Sequence, residues 1–178
     1  MKRDEYVVKS KHYDKGEFVF REEGRSNMEN VQSYIEVELE CLRDLTTSDF
    51  SAMAFMESGE YRIRWKYASG NGNERYKQIT LKPGSGLAGI VIRIGRPVML
   101  DMNVPDAQSM RYEYPIMLTE HLEAVVAVPF MFDETQGVLL VGSRSMRTYS
   151  VHEIELIVST AERLALLIKH KELQDHGL

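Results

Sequence analysis

Two stretches of the chain place apolar residues every three or four positions, which is the spacing of an amphipathic helix. In the first stretch these residues are Met28, Val31, Ile35, Leu39 and Leu42. Ser26 followed by Glu29 forms a capping box, which marks a helix start. The same pattern predicts that this helix ends near residues 43–46.

The second stretch predicts the longest helix of the chain, opened by a capping box of Ser150 and Glu153. Its apolar residues are Ile154, Ile157, Ala161, Leu164 and Ile168. Because their spacings alternate between three and four, they form a heptad seam, the pattern of helices that pack along their length.

Between the two helices, apolar residues follow the patterns of strands. Phe50–Met56 is apolar enough for a buried strand, and Tyr61–Tyr67 alternates with period two. That alternation predicts one face with Tyr61, Ile63, Trp65 and Tyr67, and an opposite face of basic residues. A Gly-Asn run at 70–73 predicts a turn before a third strand, Arg75–Leu81. Two later strands, Val125–Met131 and Val138–Gly142, are predicted to pair around a turn at 133–137.

The middle of the chain predicts shorter elements. A Gly-rich loop at 83–86 leads into a short helix, Leu87–Ile94, which Gly95 ends. A short strand is predicted at Pro97–Asp101, followed by a polar loop from Met102 to Arg111. Pro115 suits the first turn of another short helix that ends near residue 120.

This order of elements has no regular alternation of strands and helices, so it predicts an antiparallel sheet with helices on its faces, an α+β domain. The two long helices come from opposite ends of the domain and are expected to pack side by side on one face. Their surplus apolar surface would allow a homodimer through the terminal helices. We expect residues 1–25 to be an extension, with a short strand at Glu17–Arg21, and residues 26–178 to be a single domain.

Composition narrows the class of protein. The net charge of −5 and the pI near 5.6 argue against a nucleic-acid partner, which usually meets a basic protein. No apolar run is long enough to cross a membrane, and the first residues do not resemble a signal peptide, so we expect a cytoplasmic protein. Cys41 is the single cysteine and cannot form an internal disulfide or a cysteine zinc site.

Several short motifs taken together resemble the GAF domain family. They are GSGLAGIV at 84–91, GRPV at 95–98, Asp101, VAVP at 126–129, GVLLVG at 137–142, and Tyr149–Ser150 before EIEL at 153–156. The resemblance covers roughly residues 27 to 172. It implies a central antiparallel sheet flanked by helices, which agrees with the order of elements above.

A narrower set of residues is similar to the NreA-type nitrate receptors. It consists of Trp65, the YKQI segment at 76–79 and the Tyr-Pro-Ile segment at 114–116. The resemblance implies a stand-alone receptor, without enzymatic activity, that modulates a sensor histidine kinase of a two-component system. In that family nitrate occupies a small enclosed cavity, and the nitrate-free form restrains the kinase. The positions of this chain that match the lining are Trp65, Leu87, Ala88, Tyr114, Pro115 and Ile116.

These residues suit nitrate chemically. The first turn of a helix has backbone N–H groups without intrahelical partners, so the N–H groups of Leu87 and Ala88 can bind an anion. Trp65 can add its indole N–H, and Ile116 is a better donor than Pro115, which has no N–H. A cage without Arg or Lys would reject phosphate and sulfate, whose second charge would remain uncompensated.

Other functions remain open at this level. The Gly-rich loop is common to GAF domains whatever they bind, so a GAF module for an organic ligand (a nucleotide, amino acid or keto acid) is the alternative. A small enzyme finds no support in a nucleophile–base arrangement, and a purely structural dimerisation protein is a further option. His121 and His152 are expected at the surface, and no metal or cofactor is implied.

Overall fold

The computed structural model describes residues 13–14, 17–18, 31–57, 59–133 and 135–175. Its strands are β1 Tyr13–Asp14, β2 Glu17–Phe18, β3 Phe50–Glu57, β4 Arg62–Ser69, β5 Thr80–Leu81, β6 Val98–Leu100, β7 Ala124–Phe132 and β8 Thr135–Ser143. Its α-helices are α1 Val31–Leu45, α2 Gly86–Ile94, α3 Ala107–Arg111, α4 Pro115–Thr119 and α5 Val151–Asp175, and a 3₁₀ helix covers Arg75–Gln78.

The main sheet has six strands in the order β5-β4-β3-β8-β7-β6, and every neighbouring pair is antiparallel. This confirms the predicted α+β class. β1 and β2 pair separately, and β2 falls within the short strand expected at Glu17–Arg21. The remainder of that segment and the capping box of Ser26 and Glu29 lie outside the described residues.

One face of the sheet carries α1 and α5, packed side by side as predicted. The second capping box is confirmed: the Glu153 N–H donates to Ser150 Oγ at 3.2 Å, and the Ser150 N–H donates to Glu153 Oε2 at 2.8 Å. Ile157, Ala161 and Leu164 of the heptad stripe are buried in the core on this face. We refer to this side of the sheet as the helix-pair face.

The opposite face carries α2, α4 and the 3₁₀ helix over a second core, and we refer to it as the ligand face because of the site described below. The name refers to a candidate site only. The buried members of this core include Phe50, Ile63, Trp65, Tyr76, Leu87, Ala88, Tyr114, Ile116 and Met117. Gly95, at φ +65°, ends α2 in the left-handed conformation, as predicted. None of the described helices combines the length and the apolarity that crossing a bilayer requires.

The strand predicted at Arg75–Leu81 is wrong for most of its length. The side-chain Oδ1 of Asn73 accepts the N–H of Arg75 at 2.8 Å, and the N–H of Ile79 donates to the carbonyl of Tyr76 at 3.2 Å. These local hydrogen bonds favour a 3₁₀ turn over strand pairing. Only the two residues of β5 join the sheet, against β4.

The predicted common face of β4 holds for Ile63 and Trp65 and is wrong for Tyr67. Trp65 pairs with Ala54, and Tyr67 pairs with Met53, the residue that precedes Ala54 in β3. Lys66 is therefore an extra residue in β4. Such a bulge reverses the alternation of side chains. Tyr67 therefore packs on the helix-pair face. Tyr61 precedes β4 and is exposed.

The structure differs from the prediction in two loops, at residues 102–111 and 133–137. The polar segment from residue 102 to residue 111 contains α3, whose first residue, Ala107, is buried. The β7–β8 hairpin is longer than expected, because its pairing reaches Phe132 opposite Thr135. The turn is correspondingly shorter than 133–137, and Asp133 in it has a positive φ of 48°.

Candidate functional site

Trp65 is a fully buried member of the core on the ligand face. Only 1% of its surface is exposed, and its indole Nε1 has no hydrogen-bond partner among the described residues. A buried donor left without an acceptor costs about 1–3 kcal/mol. An acceptor from outside the chain would remove that cost.

The start of α2 supplies backbone donors within the same core cluster. The loop before it folds back on the helix, since the Gly84 N–H donates to the carbonyl of Gly89 at 2.7 Å. Ser85 is the N-cap residue, and its side chain makes no capping hydrogen bond. The first-turn N–H groups of Leu87 and Ala88 have no acceptor within the helix. Both residues are fully buried, so these groups are shielded from solvent.

The start of α4 faces the same core. Tyr114 is the N-cap, again without a side-chain cap, and Pro115 is the first helical residue. Tyr114 and Ile116 are buried, whereas Pro115 is exposed. Burial, with a smaller contribution from the charge of Glu113, raises the pKa of Tyr114, which favours the protonated hydroxyl, a hydrogen-bond donor.

The structure brings five of the six predicted site residues into one core cluster: Trp65, Leu87, Ala88, Tyr114 and Ile116. Pro115 is not a member of that cluster, and its place is the outer side of the first turn of α4. The cluster contains an indole N–H and residues from the first turns of two helices within an apolar surround. Such a set of neutral donors can hold a small, weakly hydrated anion.

Glu120, which follows α4 as its C-cap, is a buried carboxylate that the sequence did not single out. It is 2% exposed, and its Oε1 has no partner among the described residues. Burial raises its pKa, although a hydrogen bond from the Gly72 N–H and the charge of Arg144 act in the opposite direction. A single Glu after a short apolar helix has no pattern that would have identified it from the sequence.

Other reactive side chains lie away from this cluster. His121 and His152 are exposed, as expected. Cys41 is buried on α1, the helix that packs on the opposite face of the sheet from Trp65. Within the described part of the chain, no group of three or more His, Cys, Asp or Glu side chains could hold a metal ion.

The sequence profile of the GAF domain family matches residues 35–169. The chain therefore belongs to the GAF domain family.

Among solved structures, several from one organism are similar to this chain in sequence as well as in fold. A hypothetical protein from Staphylococcus aureus is 38% identical over 65% of this chain and 97% of its own length, with a TM-score of 0.58. NreA from Staphylococcus aureus, mutated in its nitrate binding site, is similar in two structures. One is 36% identical (66% of this chain, 88% of NreA, TM-score 0.58), and the other is 34% identical (70% and 98%, TM-score 0.59). A comparison with curated proteins returns no match.

Proposed function

We propose that this chain is a cytoplasmic nitrate receptor that binds nitrate on the ligand face and modulates a sensor histidine kinase of a two-component system. The observation that carries the proposal is the unpartnered indole N–H of Trp65, buried in one cluster with the first turn of α2. The similarity to NreA, a protein with a nitrate binding site, supports nitrate as the anion. The proposed ligand-binding residues are Trp65, Leu87, Ala88, Tyr114, Pro115 and Ile116.

Nitrate matches the chemistry of these groups. Its single charge is spread over three oxygens, so it needs several donors and no full counter-charge. The indole N–H and the first-turn N–H groups of α2 are neutral donors, and the positive end of the α2 dipole adds a partial charge. A dianion in the same place would keep one charge uncompensated in an apolar surround, which is costly.

The small size of nitrate limits its affinity. The best small ligands gain about −1.5 kcal/mol per heavy atom, so the four heavy atoms of nitrate give about −6 kcal/mol. This corresponds to a Kd on the order of tens of micromolar. Such a Kd suits a receptor that follows a metabolite, rather than a protein that holds a permanent cofactor.

In the proposed signalling step, nitrate changes the surface that a histidine kinase contacts, and the nitrate-free form restrains the kinase. A ligand shifts the population of two conformers only by its difference in affinity for them. The proposed receptor is not an enzyme, and Cys41 lies on the face opposite the ligand. We further propose that residues 26–178 form one domain and that two copies pair through the terminal helices.

Thermal unfolding tests the nitrate proposal. Purified, ligand-free protein is heated with 0 to 10 mM sodium nitrate, or with chloride, sulfate or phosphate at equal ionic strength. At 100 times the Kd, binding adds about 2.7 kcal/mol, which for this chain length raises Tm by roughly 5–10 °C. A rise with nitrate alone supports the proposal. No rise contradicts it and leaves a GAF module for an organic ligand.

The kinase proposal has a separate test. A cytoplasmic histidine kinase from the source organism is assayed for autophosphorylation alone, with the receptor, and with the receptor and nitrate. We expect the nitrate-free receptor to lower the rate and nitrate to restore it. An unchanged rate in all three mixtures would contradict regulation of that kinase without affecting the nitrate proposal.

A further inference from the structure

Arg144 connects three separate segments at one end of the main sheet. It follows β8, a central strand, and its Nε donates to the backbone carbonyl of Glu120 at 3.1 Å. Its Nη2 donates to the carbonyl of Gly70 at 2.9 Å, and its own N–H donates to Asp49 Oδ2 at 2.7 Å. The guanidinium therefore links the ends of α4 and β4 to the central strands.

The carboxylate of Glu120 completes this connection. Its Oε2 lies 3.5 Å from Arg144 Nη2 and accepts the N–H of Gly72 at 3.4 Å. A carboxylate with 1% of its side chain exposed is strongly destabilising unless an opposite charge accompanies it. Arg144 is that charge, so the buried side chain of Glu120 and the guanidinium depend on each other.

α4 depends on such external contacts for its position. It has five residues and no side-chain cap at its N-terminus, and an isolated helix of that length is not stable in water. The N–H of Glu120 donates to the carbonyl of Ile116 at 3.1 Å, so one turn of backbone joins the two. A displacement of residue 120 is thereby passed to the first turn of α4, where Tyr114 and Ile116 lie.

We infer that Arg144 is a positioning residue for the ligand site, which holds the C-terminal end of α4 against the sheet and so fixes its first turn relative to Trp65. The inference rests on the proposed nitrate function for its effect on affinity. Binding sites require their groups to be held within about 0.5 Å of the productive geometry. Arg144 meets this need through its contacts with Glu120.

The chain contains a matched control on the helix-pair face. Arg163 of α5 pairs with Glu38 of α1 at 2.7 Å, and the side chain of Glu38 is 5% exposed. Each arginine is thus partly exposed and supplies the opposite charge for a buried glutamate. Each glutamate also has one further hydrogen-bond partner, the Gly72 N–H for Glu120 and the Tyr34 side chain for Glu38. Replacing Arg163 should destabilise the protein in the same way without changing the position of α4.

The experiment compares Arg144→Gln, Arg144→Lys and Arg163→Gln with the unmodified chain. Hydrogen exchange of the ligand-free proteins is measured at the amides of residues 117–120, and the nitrate Kd is measured by calorimetry. For Arg144→Gln we expect exchange of these amides at least tenfold faster and a Kd at least tenfold higher. Arg144→Lys should recover part of both effects, because it keeps the charge and loses the two-pronged donor geometry.

Arg163→Gln should leave both quantities within twofold of the unmodified chain. The inference is overturned if Arg144→Gln leaves the exchange at 117–120 unchanged, or if Arg163→Gln changes it equally. It is also overturned if the unmodified chain binds nitrate and folded Arg144→Gln binds it equally well. Should the unmodified chain not bind nitrate, the proposed function fails, and the exchange result alone decides whether Arg144 positions α4.

Discussion

The two faces of the main sheet differ in how they satisfy their buried polar groups. On the helix-pair face, Ser51 Oγ donates to the carbonyl of Leu39 at 2.7 Å, and Glu38 pairs with Arg163. On the ligand face, the indole N–H of Trp65 is the single polar group of its side chain and lacks a partner among the described residues. Arg43 of α1 also has an unpartnered Nε, but its Nη1 donates to the carbonyl of Asp49 at 3.2 Å. Natural proteins tend to break local rules of satisfaction at functional sites. The fully unpartnered side chain thus lies on the face that carries the proposed ligand site.

The largest effect on stability is expected from Leu39→Ala on the helix-pair face. Leu39 is fully buried, and such a truncation costs about 2–5 kcal/mol. Urea unfolding measures the loss, and calorimetry should give an unchanged nitrate Kd for the folded protein. Leu87→Ala, matched in residue type and burial, should lower stability and also weaken nitrate binding. Equal Kd values for the two variants would contradict the division between the faces.

Trp65→Phe should weaken nitrate binding and change the free energy of unfolding little. The phenyl ring keeps most of the apolar contact and removes the donor, and a hydrogen bond to a charged group contributes about 1.5–3 kcal/mol. The nitrate Kd should therefore rise by about 10- to 150-fold. The matched control is Phe55→Leu on the helix-pair face, which should leave the Kd unchanged. A Kd for Trp65→Phe within twofold of the unmodified chain would exclude the indole as a donor.

A smaller effect is expected at the start of α5. Ser150→Ala removes the side-chain acceptor of the Glu153 N–H, and loss of such a cap costs about 1 kcal/mol. The unfolding midpoint should fall, while the nitrate Kd stays the same because this helix lies on the other face. An unchanged midpoint would show that the capping box contributes nothing to stability.

The smallest expected effects are those of pH on the free energy of unfolding. They have opposite signs for Glu153 and Glu120. Burial alone would raise the pKa of Glu153, but hydrogen bonds from Ser150 and Arg147 outweigh it and lower that pKa below 4.5. Its stabilising contribution is present above the unfolded value and is lost as the pH falls through the lowered pKa. The raised pKa of Glu120 has the reverse consequence, because folding then favours the protonated form.

Unfolding free energies measured from pH 7 to pH 3 test these signs. The stability advantage of the unmodified chain over Glu153→Gln should shrink as the pH falls below about 4.5. Relative to Glu120→Gln, the unmodified chain should gain stability as the pH falls from 7 toward 4.5. Parallel pH profiles for all three proteins would contradict both assignments.

Sequence patterns predicted the parts of the fold that depend on local chemistry. The capping box at Ser150 and Glu153, the end of α2 at Gly95 and the start of α4 at Pro115 each follow from neighbouring residues, and the structure confirms them. The members of the candidate site were named from the resemblance to the NreA-type receptors, and the donor chemistry of helix starts supports that choice.

The missed features depend on contacts between distant segments. Nothing near Lys66 identifies it as a bulge, because the register of β4 is set by its pairing with β3. The partnership of Glu120 with Arg144 joins residues 24 positions apart, and neither residue belongs to a motif. The 3₁₀ helix at Arg75–Gln78 was missed because the side chain of Asn73 accepts the N–H of Arg75, which competes with strand pairing. The spacing of apolar residues carries no sign of such a hydrogen bond.

The most direct measurement follows the indole N–H itself. Trp65 is the only tryptophan of the chain, so a ¹⁵N-labelled sample has a single indole cross-peak in a proton–nitrogen NMR spectrum. On titration with nitrate to 10 mM, this peak should shift and saturate with the calorimetric Kd, whereas sulfate and phosphate should leave it in place. An indole peak that does not move when nitrate is added would contradict the claim that Trp65 donates to a bound nitrate ion.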